Sequence, residues 1–249
     1  MGDSADSLAR ALARAGVAGI EESVHAVKEG RVTVGGKVVR QPMMELRPKD
    51  AVKLDGRPVS LTARTLVVMF HKPQGCISSH AAQRGQPTVF DLLLPALPAS
   101  LRGYGWHAVG RLDLDTTGIL LFTNDEHFVE HGTSPQSKLP KRYVAKVFGK
   151  LNDAALVTLQ KGIKISGVLT RPAKARFRPP DQVELTLTEG RFHQVKHMLG
   201  AVKLPVGGLH REAIGTVELD VPVGEARLLS DDEVEKGFGY SPRTFHPKS

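Results

Sequence analysis

Residues 107–125 read HAVGRLDLDTTGILLFTND, and within them Arg111, Asp113 and Asp115 alternate with Leu112 and Leu114. If residues 109–115 are extended, that spacing turns the guanidinium and both carboxylates to one side and the leucines to the other. Charges are rarely buried unless they are paired or put to use. Three chemistries fit. An arginine–aspartate pair can tie a strand to a turn made by Thr116, Thr117 and Gly118. Asp-x-Asp is a Mg²⁺ pattern beside phosphates, although the chain offers no further carboxylate cluster to complete such a site. A carboxylate kept ionised by arginine can also serve as a nucleophile. The residues by themselves leave all three open.

Other chemistry-bearing residues are less suggestive. His193 and His197 stand four apart, as zinc-binding pairs do, but residue 194 is Gln where a zinc hydrolase would place its glutamate base. They are expected to be surface or RNA-facing histidines, with no metal. Cys76 is the only cysteine, which excludes an intrachain disulfide and a cysteine-rich metal site and suits a small buried hydrophobe. Trp106, the only tryptophan, is expected to anchor the core.

The net charge of +8 favours a polyanionic partner, and the basic residues cluster. Residues 138–150 carry five and residues 161–180 carry six, with no acid in either block. Lysine on edge strands can be simple protection, but two such blocks in one region suit a nucleic-acid footprint. No run of 18 apolar residues is present and the first twenty residues contain Asp3 and Asp6, so neither a membrane span nor a signal peptide is expected. A reducing, cytoplasmic setting fits.

The elements that must position these groups fall into two sets. Residues 6–16 and 20–30 carry apolar residues at helical spacing and end in Gly16 and Gly30. RVTVGGKVV then reads as a hairpin about Gly35-Gly36, and a second hairpin surrounds Asp55-Gly56. Together these make a compact module over 1–62, followed by a linker at 61–64. Beyond it, strands are expected at 65–73, 142–149, 182–190 and 225–230. Helices are expected at 154–162 and 191–202, the second with Phe192, Val195, Leu199 and Val202 on one face. Strands and helices without a regular βαβ beat predict an α+β fold. The larger domain is expected over 65–232, with 233–249 as a disordered tail.

VGRLDLDTTGILLFTND closely resembles the signature of pseudouridine synthases of the RsuA type. FHKPQGCISSH (70–80), KLPKRYVAKVFG (138–149), TEGRFHQVKHMLGAV (188–202) and LHREAIGTVELD (209–220) resemble the family's other segments, in the family's order. The first module resembles an S4 RNA-binding domain. It departs from the S4 pattern in VAGIEES, where Glu21 and Glu22 replace basic residues, and residues 1–62 hold ten Lys and Arg against eight Asp and Glu.

The resemblance implies a mixed, mainly antiparallel sheet and the conversion of uridine in RNA to pseudouridine without cofactor or metal. It makes Asp113 the nucleophile, leaving open whether it attacks sugar or ring. Arg191 would pair with Asp113 and keep it ionised, and Tyr143 would lie against the uracil. Arg111 would hold the flipped nucleotide or fill its place in the stack, while Asp115 would hold the loop through Thr116 or Thr117. Because a stacked base cannot react, the target must be flipped out. Lys72, Lys141, Arg142, Lys146 and Lys196 are the expected backbone contacts in the larger domain, and Arg31, with Arg10 and Arg14, in the smaller one. The implied partner is ribosomal RNA or a ribosomal subunit assembly intermediate, met by a monomer. HQVKHML and LHREAIG stand closer to the small-subunit member than to the large-subunit members, so the expected target is in 16S rRNA, with a 23S rRNA uridine as the alternative. A non-catalytic rRNA-binding protein and a metal-dependent nuclease are the competing classes. Intact Asp113, Tyr143 and Arg191 weigh against the first, and activity in EDTA would exclude the second.

Overall fold

A computed structural model describes residues 7–47, 50–79, 81–82 and 85–245. Residues 1–6 of the expected first module, His80 of the lysine–proline segment and residues 246–249 of the expected tail lie outside the described residues.

The N-terminal elements follow the sequence pattern closely. Helices α1 (Leu8–Arg14) and α2 (Ile20–Glu29) precede strands β1 (Val32–Val34), β2 (Lys37–Val39), β3 (Val52–Leu54) and β4 (Arg57–Pro58). The strands form one sheet in the order β2-β1-β3-β4. Leu8, Leu12, Val27, Val32 and Val52 are buried between helices and sheet. Gly35 and Gly36, at φ 58° and 81°, supply the two left-handed residues that a tight hairpin turn needs.

The larger domain continues through β5 (Ala63–Arg64), β6 (Val67–Lys72), α3 (Val89–Ala96), β7 (His107–Val109), β8 (Thr116–Thr123), α4 (Glu126–Thr133) and β9 (Lys141–Val147). Then come α5 (Asp153–Lys161), β10 (Lys164–Ile165), β11 (Val168–Leu169), β12 (Lys174–Arg178), β13 (Gln182–Leu187) and α6 (Gln194–Ala201). The last elements are β14 (Val206–Ile214), β15 (Val217–Glu218), β16 (Ala226–Leu228), α7 (Asp231–Phe238) and β17 (Thr244–Phe245). A nine-stranded sheet runs β12-β13-β9-β14-β8-β6-β16, with β15 added to β14 and β7 to β8. Only β8 and β14 run parallel; the other pairs are antiparallel. The class is α+β, as the sequence predicts. No helix among the described residues is long and apolar enough to cross a membrane.

Gly118 sets the approach of the two parallel strands. A Cβ there would lie 2.2 Å from the Arg211 carbonyl oxygen, and φ is 114°. No side chain fits between β8 and β14 at that level.

One face of the sheet is covered along its length, and both faces are covered around β6 and β8. Phe70, Leu120 and Phe122 pack under Leu93 and Trp106, while Leu185 and Leu209 pack under Met198 and Leu199. Tyr143 touches both clusters. On the opposite face Met69, Ile119 and Leu121 meet Phe128, Val234 and Phe238. Trp106 is a core anchor, its indole N–H donating to the Leu101 carbonyl at 2.9 Å. Cys76 is a buried thiol, pushed up in pKa by that burial.

Two sequence expectations are corrected. Residues 61–64 are not a free linker, because Ala63–Arg64 pair with Thr244–Phe245. Residues 233–245 are not a disordered tail. Ser230 and Glu233 close a capping box that starts α7, and Val234 and Phe238 are 2% and 4% exposed. The Tyr240 hydroxyl donates to Asp125, a buried carboxylate that also accepts from Thr65 Oγ1 at 2.8 Å and from the His127 amide at 2.9 Å. Burial and that carboxylate push the Tyr240 phenol up to about 12. Phe238→Ala is therefore expected to cost about 3–5 kcal/mol, measured by urea denaturation. An unchanged midpoint would place this helix outside the cooperative unit.

Candidate active site

Residues 110–115, with Arg111, Asp113 and Asp115, form a loop rather than a strand. β7 ends at Val109, and residues 110–115 cross over before β8 begins at Thr116, so Thr116, Thr117 and Gly118 belong to a strand instead of a turn. Lys72 fixes the loop from below. Its side chain is fully buried, and its ammonium donates to the carbonyls of Pro73 at 3.0 Å, Asp113 at 3.0 Å and Thr116 at 2.9 Å. Burial pushes this lysine below its usual pKa, with Cys76, Asp113 and Asp115 opposing. Lys72 holds the polypeptide, and no part of it is free to meet a phosphate. The expected RNA contact is thus corrected to a structural one.

Asp113, Arg111, Tyr143, Arg191, His193 and Lys196 line one cleft, with Leu187, Val195 and Leu209 as its apolar wall. The cation that meets Asp113 is not the expected one. Lys196 Nζ stands 3.2 Å from Asp113 Oδ2 and 2.6 Å from Asp115 Oδ1. Partial burial disfavours the ammonium, but its bonds to Asp115 and Asp113 outweigh that and hold its pKa above the usual lysine value. The same hydrogen bond holds Asp115 below the ordinary carboxylate range. Asp115 therefore ties down through Lys196, not through Thr116 or Thr117. His193 Nε2 lies 3.4 Å from Asp113 Oδ1.

Arg191 turns away from Asp113. Its guanidinium donates to the carbonyls of Val168 at 3.2 Å and Leu169 at 2.9 Å and to Glu189 at 3.3 Å. The reason is local. The helix starts at Gln194, not at 191, and His193 at its N-cap has a left-handed backbone with φ 50°. Arg191 and Phe192 therefore lie in the turn before α6, and Phe192 is 76% exposed instead of joining Val195 and Leu199 in the core. His193 and His197 have ring centroids 6.3 Å apart. Among the described residues no group of three or more His, Cys, Asp or Glu is placed to hold a metal. The space between the two carboxylates of Asp-x-Asp already holds the Lys196 ammonium.

Tyr143 is half-buried in β9, opposite Arg211 of β14. The sequence reading missed Arg211. It is 2% exposed, with Nε donating to the Ile119 carbonyl at 2.8 Å and Nη1 to the Tyr143 hydroxyl at 3.4 Å. Its signal was faint: a lone arginine between His210 and Glu212 in a stretch that does not read as a central strand.

The remaining expected contacts divide. Arg111 is exposed at the cleft rim, without an ion-pair partner among the described residues. Lys146 is exposed, 3.6 Å from Asp181. Arg142 is engaged by Glu212 at 3.3 Å and Glu218 at 2.9 Å, in a network where Arg176 and Arg178 both bind Glu184. Lys141 is pushed down to about 8, chiefly by burial and secondly by the charge of Arg211. In the first module Arg31 forms a double hydrogen bond with Asp55, at 2.9 and 2.6 Å. Arg10 lies 3.9 Å from Glu126, and the Arg14 guanidinium sits 4.5 Å over the Phe245 ring.

The family model described as RNA pseudouridylate synthase matches residues 66–201, and the S4 domain model matches residues 8–52. The chain is 37% identical over 212 residues to ribosomal small subunit pseudouridine synthase A of Escherichia coli (strain K12), covering 84% of this chain and 89% of that protein. It is 33% identical over 238 residues to ribosomal large subunit pseudouridine synthase B of Bacillus subtilis (strain 168), covering 93% and 95%. A solved pseudouridylate synthase superposes with a TM-score of 0.64 at 30% identity, covering 92% of this chain and 98% of that one. The chain belongs to the RNA pseudouridylate synthase family: it is a pseudouridine synthase, an isomerase, with an S4 domain ahead of its catalytic domain.

Two outcomes follow from the site. Lys72→Met leaves three carbonyls without their donor and is expected to cost about 2–4 kcal/mol in chemical denaturation. Turnover should fall with it as the Asp113 loop loosens; a variant as stable and active as the parent would remove Lys72 from this role. Lys141 offers a test of sign. Its folded value is depressed, so the penalty of burying its charge is fully present below pH 8. The penalty fades as pH rises from about 8 towards the unfolded value of about 10.4. Lys141→Met is expected to raise the melting temperature at pH 7 and to abolish the gain in stability between pH 8 and 10. A lower melting temperature at pH 7 would contradict the assignment.

Proposed function

We propose that the chain converts one uridine of small-subunit ribosomal RNA to pseudouridine, with Asp113 as the nucleophile on a flipped-out nucleotide. The observation that carries this reading is the double hold on Asp113. Its backbone is fastened by the buried Lys72, and its carboxylate is met by Lys196 inside a cleft with one apolar wall. A carboxylate held at its backbone and met by an ammonium is fixed in position, as a nucleophile must be.

In the reaction the bond from uracil N1 to ribose C1′ breaks, the base turns, and C5 bonds to C1′. The C5 hydrogen leaves to solvent and N1 takes up a proton, so substrate and product are isomers. Tyr143 lies against the uracil, its hydroxyl held by Arg211. Arg111 at the open rim supports the flipped nucleotide or fills its place in the stack. Lys146 and the S4 domain contact the flanking RNA, offsetting through phosphate contacts the few kcal/mol that unstacking costs. The small-subunit target is favoured by HQVKHML and LHREAIG; identity does not choose between them, since small-subunit relatives stand at 32–37% and a large-subunit one at 33%. The 93% coverage by the large-subunit relative keeps 23S rRNA as the second reading.

The test uses ribosomal RNA tritiated at uridine C5, offered free and in isolated small and large subunits, with EDTA present. Label release by the parent and none by Asp113→Asn, from small-subunit RNA, is the expected result. Release from large subunits alone would select the second reading. Equal release by both proteins would remove Asp113 from the mechanism.

A further inference from the structure

We infer that Phe192 and His193 form a stacking shelf for the RNA base next to the target uridine, an inference that rests on the reading that the substrate is an RNA strand. The two rings lie parallel, with centroids 3.8 Å apart and planes at 18°. Phe192 is 76% exposed, so with its inner face against His193 its outer face is open to solvent. A large apolar ring in that position gains nothing for the fold.

His193 is held in a left-handed backbone conformation, with φ 50°, which a side chain adopts only where its surroundings impose it. The consequence is positional. The turn starts α6 two residues after Phe192, keeps that ring out of the core, and sets the histidine ring between Phe192 and Asp113. Its Nε2 is 3.4 Å from the Asp113 carboxylate.

The distances say which base the shelf takes. The reacting nucleotide must touch Asp113. A ring laid on the outer face of Phe192 is a further ring spacing beyond the 3.8 Å that already separates Phe192 from His193, too far to be the reacting one. It suits the neighbour along the strand. Single-stranded RNA is commonly read by stacking unpaired bases on aromatic side chains. The surroundings suit a strand backbone: Arg111 is exposed at the rim of the same cleft. Every base has a flat face, so the shelf contributes affinity and placement more than sequence choice.

The experiment measures steady-state kinetics of label release on the rRNA substrate for the parent, Phe192→Ala and Phe192→Trp. The same RNA is also made with 2-aminopurine, whose fluorescence is quenched on stacking, at each position flanking the target in turn. Phe192 is exposed, so neither substitution endangers the fold. The expected result is quenching at one immediate neighbour, lost in Phe192→Ala and kept in Phe192→Trp. KM should rise about tenfold in the alanine variant alone, with the loss falling on KM more than on kcat. Unchanged KM and quenching in Phe192→Ala, with label still released, would overturn the shelf and leave the functional reading standing. Absence of label release by the parent from every rRNA would overturn that reading and the shelf with it.

Discussion

A buried ammonium holds the Asp113 loop to the sheet. Lys72 ends β6 opposite Gly118, with its charge surrounded by three backbone carbonyls instead of a carboxylate partner. An ammonium taken out of water is costly, and three hydrogen bonds with two nearby aspartates offset that cost. What the arrangement secures is position. Asp113 O is one of the three acceptors, so the backbone that carries the proposed nucleophile is fastened to the central sheet. Lys196 then meets the same residue from α6. The two lysines, from elements more than a hundred residues apart, converge on one aspartate from its backbone and its side chain.

The positive charge of the chain is distributed with similar economy. Both basic blocks suggest an RNA footprint when they are read along the sequence, because neither contains an acid. The acids come from across the sheet. Glu184, Glu212 and Glu218 bind Arg142, Arg176 and Arg178 on the face opposite Tyr143 and Arg211. That face is a neutralised ion-pair lattice. The charge facing the cleft is carried by Lys196, Arg111 and Arg191. In the S4 domain Arg31 is paired with Asp55 of the same module, while Arg10 reaches Glu126 of the larger domain. The first pair agrees with the module's near balance of acid and base.

Local rules made the small elements legible. Glycine-terminated helices, alternating strands and the Gly35-Gly36 hairpin depend on neighbours in sequence, and they lie close to where the pattern puts them. The signature around Asp113 was readable because residue type and spacing there are specific. What the sequence hid is nonlocal. β14 carries His210, Arg211 and Glu212 in succession and does not alternate, yet it is the centre of the sheet, because polar side chains on both of its faces find partners on other strands. The pairing of Asp113 depends on where α6 begins. Helical periodicity alone extends that helix back to Arg191, whereas the left-handed turn at His193 delays it, sends Arg191 to the β10–β11 hairpin and brings Lys196 to the aspartate. The C-terminal helix was missed although Ser230 and Glu233 spell a capping box, because its eight residues bury their apolar side against α4 and β15, which the local pattern does not reveal.

Lys196, not Arg191, is the cation that meets the Asp113 carboxylate and aims it. The most direct measurement is the single-turnover rate of label release at saturating enzyme for Lys196→Met, Lys196→Arg and Arg191→Met, with RNA affinity measured alongside. Lys196→Met is expected to lose at least a hundredfold in rate, about 2.7 kcal/mol in barrier, while binding RNA within a few-fold of the parent. Lys196→Arg should recover much of that rate, and Arg191→Met should lose far less. A Lys196→Met enzyme that turns over at the parental rate, or whose only loss is in RNA affinity, would contradict the account.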